Sequence, residues 1–328
     1  MRIPSNVKKF LRPVIAFVLL LLVLKLGFID VNQLAISFKN PEILATGLIF
    51  FILHTMSFSL RWKVLLNLDI DHSYTSSLKE TLVGNFFNFF IPSGVGGDIM
   101  KALAIAETKK ISKKVSFSLV TIDRVIGLFC LILFSAVFLL IDYALGMQES
   151  MVRLLQISLV LLLIACVGLL FLYHSKKIIP KLKTKFNNFI FNKLFSFAEQ
   201  VQMNIEKALH SPFIFKFIAV SFLIQCLAIG FLYIVTTTLT QQPVSFFLFL
   251  PLACFAFMAS AIPLTPAGIG VGQAAFYFIF SLINIPTATA ITTGVSLMQF
   301  FMLIVSLPGG YFFATARKPL KEIKSSLK

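Results

Sequence analysis

Charge is what this chain has least of. Only 13% of its 328 residues are Asp, Glu, Lys or Arg, roughly half the share found in soluble domains. That excludes a soluble globular protein, which needs polar side chains to cover its surface. Cysteine is scarce as well. Cys130, Cys166, Cys226 and Cys254 all sit in apolar segments without a CxxC pair, which excludes a disulfide framework and a cysteine-based metal site. With four histidines there is no HExxH and no Ser-His-Asp set. No Gly-x4-Gly-Lys-Ser/Thr loop is present to cradle a nucleotide phosphate. The residues therefore assign no catalytic group, no metal and no cofactor.

What the chain has in excess is hydrocarbon. It is 58% hydrophobic, with a mean hydropathy of +0.93 and 38 phenylalanines. This reads as an all-α polytopic membrane protein, a single membrane domain over residues 1–328. A spanning helix needs about 20 apolar residues, and six segments qualify: 12–29, 43–60, 118–141, 154–173, 213–239 and 288–313. The first has a basic start and no small-x-small cleavage site, so it reads as a retained helix rather than a signal peptide. Two further apolar regions are broken. One has arms Thr81–Ile91 and Ile99–Ala106 around Pro92-Ser93-Gly94-Val95-Gly96-Gly97-Asp98. The other has arms Phe246–Ile262 and Ile269–Ile283 around Pro263, Pro266, Gly268 and Gly270. Their short arms predict re-entrant helical hairpins, giving eight hydrophobic segments in all.

The net charge of +16 could suggest nucleic acid, but its placement points to a bilayer. Of 29 Lys and Arg, four precede residue 13, eight lie in 61–114, eight in 176–216 and five after residue 313. The positive-inside rule puts these regions in the cytoplasm. Both chain ends and both flanks of the Pro92 break are then cytoplasmic, and the first hairpin enters from inside. The second carries no Lys or Arg at its turn, and its short second arm favours entry from outside.

The two halves therefore repeat with opposite orientation, 10–141 and 154–315. Both breaks read Pro-x-Gly-aliphatic-Gly, 174 residues apart. Inverted repeats with broken helices near the midplane are a transporter architecture. Residues 174–211 form a cytoplasmic linker in which Phe186, Phe189, Ile190, Phe197, Val201 and Leu209 recur at near-helical spacing among lysines. That predicts a helix lying on the anionic leaflet.

At each break the second arm begins with amides that lack intrahelical acceptors, and its dipole adds partial positive charge. Glycine lets an anion approach closely. Gly94, Gly96 and Gly97, with Gly268 and Gly270, are therefore candidate ligands for a lipid phosphate. Arg124 adds a bidentate fork. Asp98 has two open readings, a cap of its own arm or a partner for a positive or coupling group. Asp123, beside Arg124, needs a partner elsewhere, because adjacent helical residues point about 100° apart. A snorkelling pair at the interface remains the alternative.

The set formed by Asn85, Asn88, Pro92–Asp98, Asp123-Arg124-Val125-Ile126-Gly127 and Pro263–Gly272 resembles one family. This is the transmembrane region of lysylphosphatidylglycerol synthases and its stand-alone, flippase-like relatives. The resemblance implies an inner-membrane protein that handles or moves anionic lipids between leaflets, alongside lipid-biosynthesis enzymes and without nucleic acid. It also implies an acid shortly after the second glycine motif, where this chain has Gln273, an amide that cannot titrate. The synthases of that family add a soluble lysyltransferase domain. The longest extramembrane stretch here, 174–211, is too short for one. A lysyltransferase relative without its catalytic domain and a non-transporting accessory subunit are the competing readings.

Overall fold

The structure is a computed structural model that describes residues 25, 30–68, 70–91, 95–146, 149–177, 179, 189–241, 244–262, 264–281 and 285–315. The expected first span, apart from Lys25, and Pro92, Gly94 and Pro263 lie outside the described residues. What is described is helical throughout, without a β-strand. In chain order the helices are α1 (Val31–Lys39), α2 (Pro41–Leu66), α3 (Tyr74–Phe90), α4 (Gly96–Lys109), α5 (Lys113–Ala144) and α6 (Glu149–His174). They continue as α7 (Phe189–His210), α8 (Ile214–Thr240), α9 (Phe246–Ser260), α10 (Val271–Phe280) and α11 (Ile285–Thr315).

Five of these are long and apolar enough to cross a membrane: α2, α5, α8, Val152–His174 within α6, and Pro286–Thr315 within α11. They outrun the hydrophobic segments because polar residues cap them. Asn40 Oδ1 accepts from the amides of Glu42 and Ile43, with Pro41 in the first turn of α2, where its missing N–H is no loss. Ser112 caps α5 through Val115 N–H. Lys110 ends α4 in the left-handed region at φ 54°. The helices flanking the two breaks are short. At 1.5 Å per residue, α3 reaches about 26 Å, α4 about 21 Å, α9 about 22 Å and α10 about 15 Å, all short of a hydrocarbon core of about 30 Å.

The helix order repeats. A shift of 174 residues carries the bounds of α2, α3, α4 and α5 to 215–240, 248–264, 270–283 and 287–318, within four residues of α8, α9, α10 and α11. The packing follows the same correspondence. α2 lies along α8, while α3 packs on α11 and α5 on α9, two pairings that exchange under the shift. The larger core gathers Phe51, Phe134, Phe231, Phe249, Phe276, Phe280 and Phe301 from both halves. A second core, at the end of α2, holds Trp62, Leu65, Leu66, Ile105, Ile122, Ile205 and Phe217.

The linker helix α7 belongs partly to that second core. Val201, Ile205 and Ala208 are buried, and Asn204 donates to Ser118 Oγ on α5 at 2.7 Å. Val201, expected to face lipid, is therefore inside the protein. Tethered between α6 and α8, the helix has bundle surface within reach of its apolar stripe. Phe191, Leu194 and Leu209 remain exposed.

Glycines set the closest helix approaches. A Cβ at Gly97 would fall 2.1 Å from the Gly84 carbonyl, and one at Gly309 would fall 2.1 Å from the Leu82 carbonyl. Gly168, on the sparsely covered α6, has nothing within 4 Å. Gly97→Ala and Gly309→Ala should each destabilise by about 1–3 kcal/mol through forced separation of helices. Gly168→Ala should be neutral or mildly stabilising. Thermal unfolding in detergent checks the contrast, and equal melting of all three variants would refute it.

Candidate functional site

The first break is held by its neighbours rather than left open. Gly97 N–H donates to Asn88 Oδ1 on α3 at 3.0 Å, so this amide, expected to be free for an anion, already has a partner. Gly96 sits as tightly, since a Cβ there would come 2.5 Å from Ile91 Cβ. Both glycines bring α4 against α3. Val95 stands at the N-cap position and offers no side-chain cap of its own. Asp98, in the first turn, sends its carboxylate to Arg124 Nε on α5. The pair lies at the edge of the bundle, with side-chain exposures of 24% for Asp98 and 45% for Arg124. Among the described residues no other hydrogen bond or ion pair holds Arg124, which leaves its Nη1–Nη2 edge without an acceptor among them.

Asp123, one residue earlier, points inward. Its Oδ1 accepts from Arg61 Nε on α2 at 3.0 Å, and its Oδ2 lies 3.7 Å from Lys101 Nζ on α4. Arg61, Lys101 and Asp123 are all less than 10% exposed. The Lys101 ammonium rests 3.9 Å from the centre of the Trp62 ring, and the Arg61 guanidinium lies 4.7 Å over Phe58. Trp62 Nε1 donates to Glu80 Oε2 at 2.7 Å. The other oxygen of Glu80 faces His72 Nε2 at 3.2 Å. That distance suits an ion pair, but the angles do not make a hydrogen bond.

Sequence reasoning missed most of this cluster. Arg61 and Lys101 count there as cytoplasmic charges, and Glu80, Trp62 and His72 go unremarked. The available signal was an acid and a cation, Glu80 and Lys101, each within a turn or two of an apolar arm. Such residues in a membrane protein default to function or to partners.

At the second break the turn is wound by Ala267 (φ 50°), Gly268 (φ 70°) and Gly270 (φ 84°), conformations that the two glycines adopt at no steric cost and that alanine rarely takes. Gln273 Oε1 accepts from Gly270 N–H at 2.8 Å. Its Nε2 donates to Gln299 Oε1 at 2.7 Å, and Gln299 Nε2 donates to the Ala267 carbonyl at 3.3 Å. The Gly268 amide goes to the Thr265 carbonyl. The amides of both candidate glycines are thus spent inside the protein, and Gln273 fastens the turn to α11. Pro266 opens the turn and is buried. The turn also packs on α3, which joins the two broken regions.

Long apolar helices, with the ion pairs of Asp98 and Asp123 gathered near the first break, define a multi-pass α-helical membrane protein. A family model for the lysylphosphatidylglycerol synthase TM region matches residues 10–309, and the chain belongs to that family. It is similar to the UPF0104 membrane protein MJ1595 of Methanocaldococcus jannaschii, with 23% identity over 313 residues that cover 84% of this chain and 85% of that one. No solved structure matches the chain.

Proposed function

We propose that this protein is a lipid translocase of the inner membrane. On this reading both termini are cytoplasmic, and Arg124 receives the phosphate of an anionic lipid at the mouth of the first hairpin. The carrying observation is the Asp98–Arg124 pair, half exposed at the bundle edge and closed through Nε alone. That leaves the terminal edge of the guanidinium free for bidentate phosphate binding. Asp98 then acts as the internal counter-ion that occupies Arg124 between headgroups. The glycines of both breaks serve by shaping the hairpins and holding their tips together.

Two observations support transport over a static role. The arms of both hairpins are too short to cross alone, and the exchanged pairings α3–α11 and α5–α9 suit an inverted repeat. Such repeats move by rocking one half against the other around a site near the midplane. The test is exchange of a fluorescent anionic phospholipid between leaflets of liposomes holding purified protein. Wild type should accelerate exchange over protein-free vesicles, and Arg124→Ala should abolish the gain. Equal rates in wild type and Arg124→Ala would end the reading and leave an accessory role in its place.

A further inference from the structure

The buried cluster carries more charge than the architecture requires. The 174-residue shift places Val235 where Arg61 stands, Ala275 at Lys101 and Leu297 at Asp123. Val235 and Leu297 are fully buried in the larger core. The second half therefore fills the three matching positions with apolar side chains. Replacing a buried ion pair by apolar residues is commonly neutral or stabilising, so retaining three charges in the first half calls for a reason beyond packing.

Their hydrogen bonding suggests the reason. Arg61 has five N–H donors and uses one, Nε–H to Asp123. Its four Nη hydrogens meet no acceptor among the described residues, although the side chain is only 6% exposed. Lys101 makes no hydrogen bond there either, its nearest carboxylate oxygen being 3.7 Å away. Buried cations are ordinarily both paired and hydrogen-bonded. Here two of them share one carboxylate, and both keep unused donors.

The open end of Arg61 also has a position. Its Nη1 lies 3.0 Å from where a Cβ of Gly127 would be, so it reaches α5 at a residue without a side chain. Gly127 is three residues beyond Arg124 on the same helix, a rise of about 4.5 Å. The two arginines repeat one arrangement. Each is held by an aspartate through Nε, with its Nη1–Nη2 edge free of any acceptor among the described residues.

We propose that Arg61, with Lys101 beside it, is a second phosphate-binding station inside the bundle, reached from Arg124 along one turn of α5. The station takes the phosphate of a lipid headgroup and rests on the translocase reading for that ligand class. Asp123 is its fixed counter-charge, as Asp98 is for Arg124. A headgroup would pass from the exposed fork to the buried one, exchanging one bidentate partner for another without crossing hydrocarbon as a bare anion.

The chain carries its own reporter. Trp62 is the single tryptophan, and the Lys101 ammonium lies 3.9 Å from its ring, so an anion drawing on Lys101 must change its emission. Detergent-purified protein is titrated with dihexanoyl phosphatidylglycerol, orthophosphate and dihexanoylglycerol, which has no phosphate. Wild type and Arg124→Ala should both give a saturable change with the phospholipid and none with dihexanoylglycerol. An equal response to orthophosphate would assign the station to phosphate in general. A response to the phospholipid alone would assign it to headgroups. Gly127→Val, which sets a side chain against the Arg61 guanidinium, where Nη1 already lies 3.0 Å from the Cβ position, should weaken the response about tenfold or more. The triple variant Arg61→Val, Lys101→Ala, Asp123→Leu should remove it. Two results overturn the station: no response in wild type, or an undiminished response in folded Gly127→Val. Lipid exchange that still depends on Arg124 would then leave the translocase reading standing.

Discussion

Asp123→Ala should cost the fold about 3–5 kcal/mol, the usual loss when one partner of a buried ion pair is removed. The carboxylate holds Arg61 at 3.0 Å and Lys101 at 3.7 Å, and all three side chains are almost fully covered. Without it, two cations remain between α2, α4 and α5 with no carboxylate in ion-pair distance among the described residues. Melting in detergent and folded yield from membranes are the measurements. Glu42→Ala, at an exposed first turn, serves as a control expected to move little. The triple variant Arg61→Val, Lys101→Ala, Asp123→Leu should recover most of the loss, because it copies residues that already pack the corresponding place in the second half. If Asp123→Ala melts with wild type, the cluster is not a closed ion-pair network. If the triple variant is as unstable as Asp123→Ala, the correspondence between the halves fails in its energetics.

The same residues show what could be read from the chain and what could not. Hydrophobic run lengths located the five described helices that are long and apolar enough to cross a membrane, because a helix that crosses lipid must satisfy its own backbone and needs an apolar surface throughout. The breaks were equally legible, since proline and paired glycines interrupt a helix wherever it lies. The partners of the charges were not legible. Arg61 and Lys101 entered the sequence reading as two of eight basic residues on one side, and that count is blind to whether a side chain faces water. Only the fold brings α2, α4 and α5 together and turns both cations toward Asp123.

The glycines teach a related lesson. At Gly97 and Gly270 the sequence suggested amides waiting for an anion, because a helix start leaves donors unsatisfied. Side chains elsewhere in the chain met that need first, Asn88 for Gly97 and Gln273 for Gly270. In the sequence Asn88 carries only a family resemblance and no physical role. Its role is to tie the start of α4 to α3 through Gly97 N–H, which is why the proposed phosphate site rests on arginine rather than on that amide. Gln273 shows the same economy at the second turn, where an amide side chain both accepts from the backbone and donates to Gln299. A carboxylate there could accept but not donate.

Arg124→Lys should retain about a tenth of the wild-type exchange of an anionic lipid, and Arg124→Ala about a hundredth or less. Lysine keeps the charge but loses the planar fork, while alanine loses both, at about 1.5–3 kcal/mol for each hydrogen bond to a charged group. Neither change should disturb folding. The Asp98–Arg124 pair is partly in solvent, and such pairs contribute about 0–1 kcal/mol. That weakness is what the mechanism requires, because a headgroup must be able to displace Asp98. Asp98→Asn separates the roles further. Asparagine can still accept from Arg124 Nε but no longer competes as an anion. The half-saturating concentration of anionic lipid should therefore fall several-fold, and its exchange should become less sensitive to salt. Liposomes with graded fractions of anionic lipid, at low and high ionic strength, give both readouts. If Asp98→Asn leaves half-saturation and salt dependence unchanged while Arg124→Lys exchanges lipid like wild type, the pair is a surface contact and phosphate binding must be sought elsewhere in the bundle.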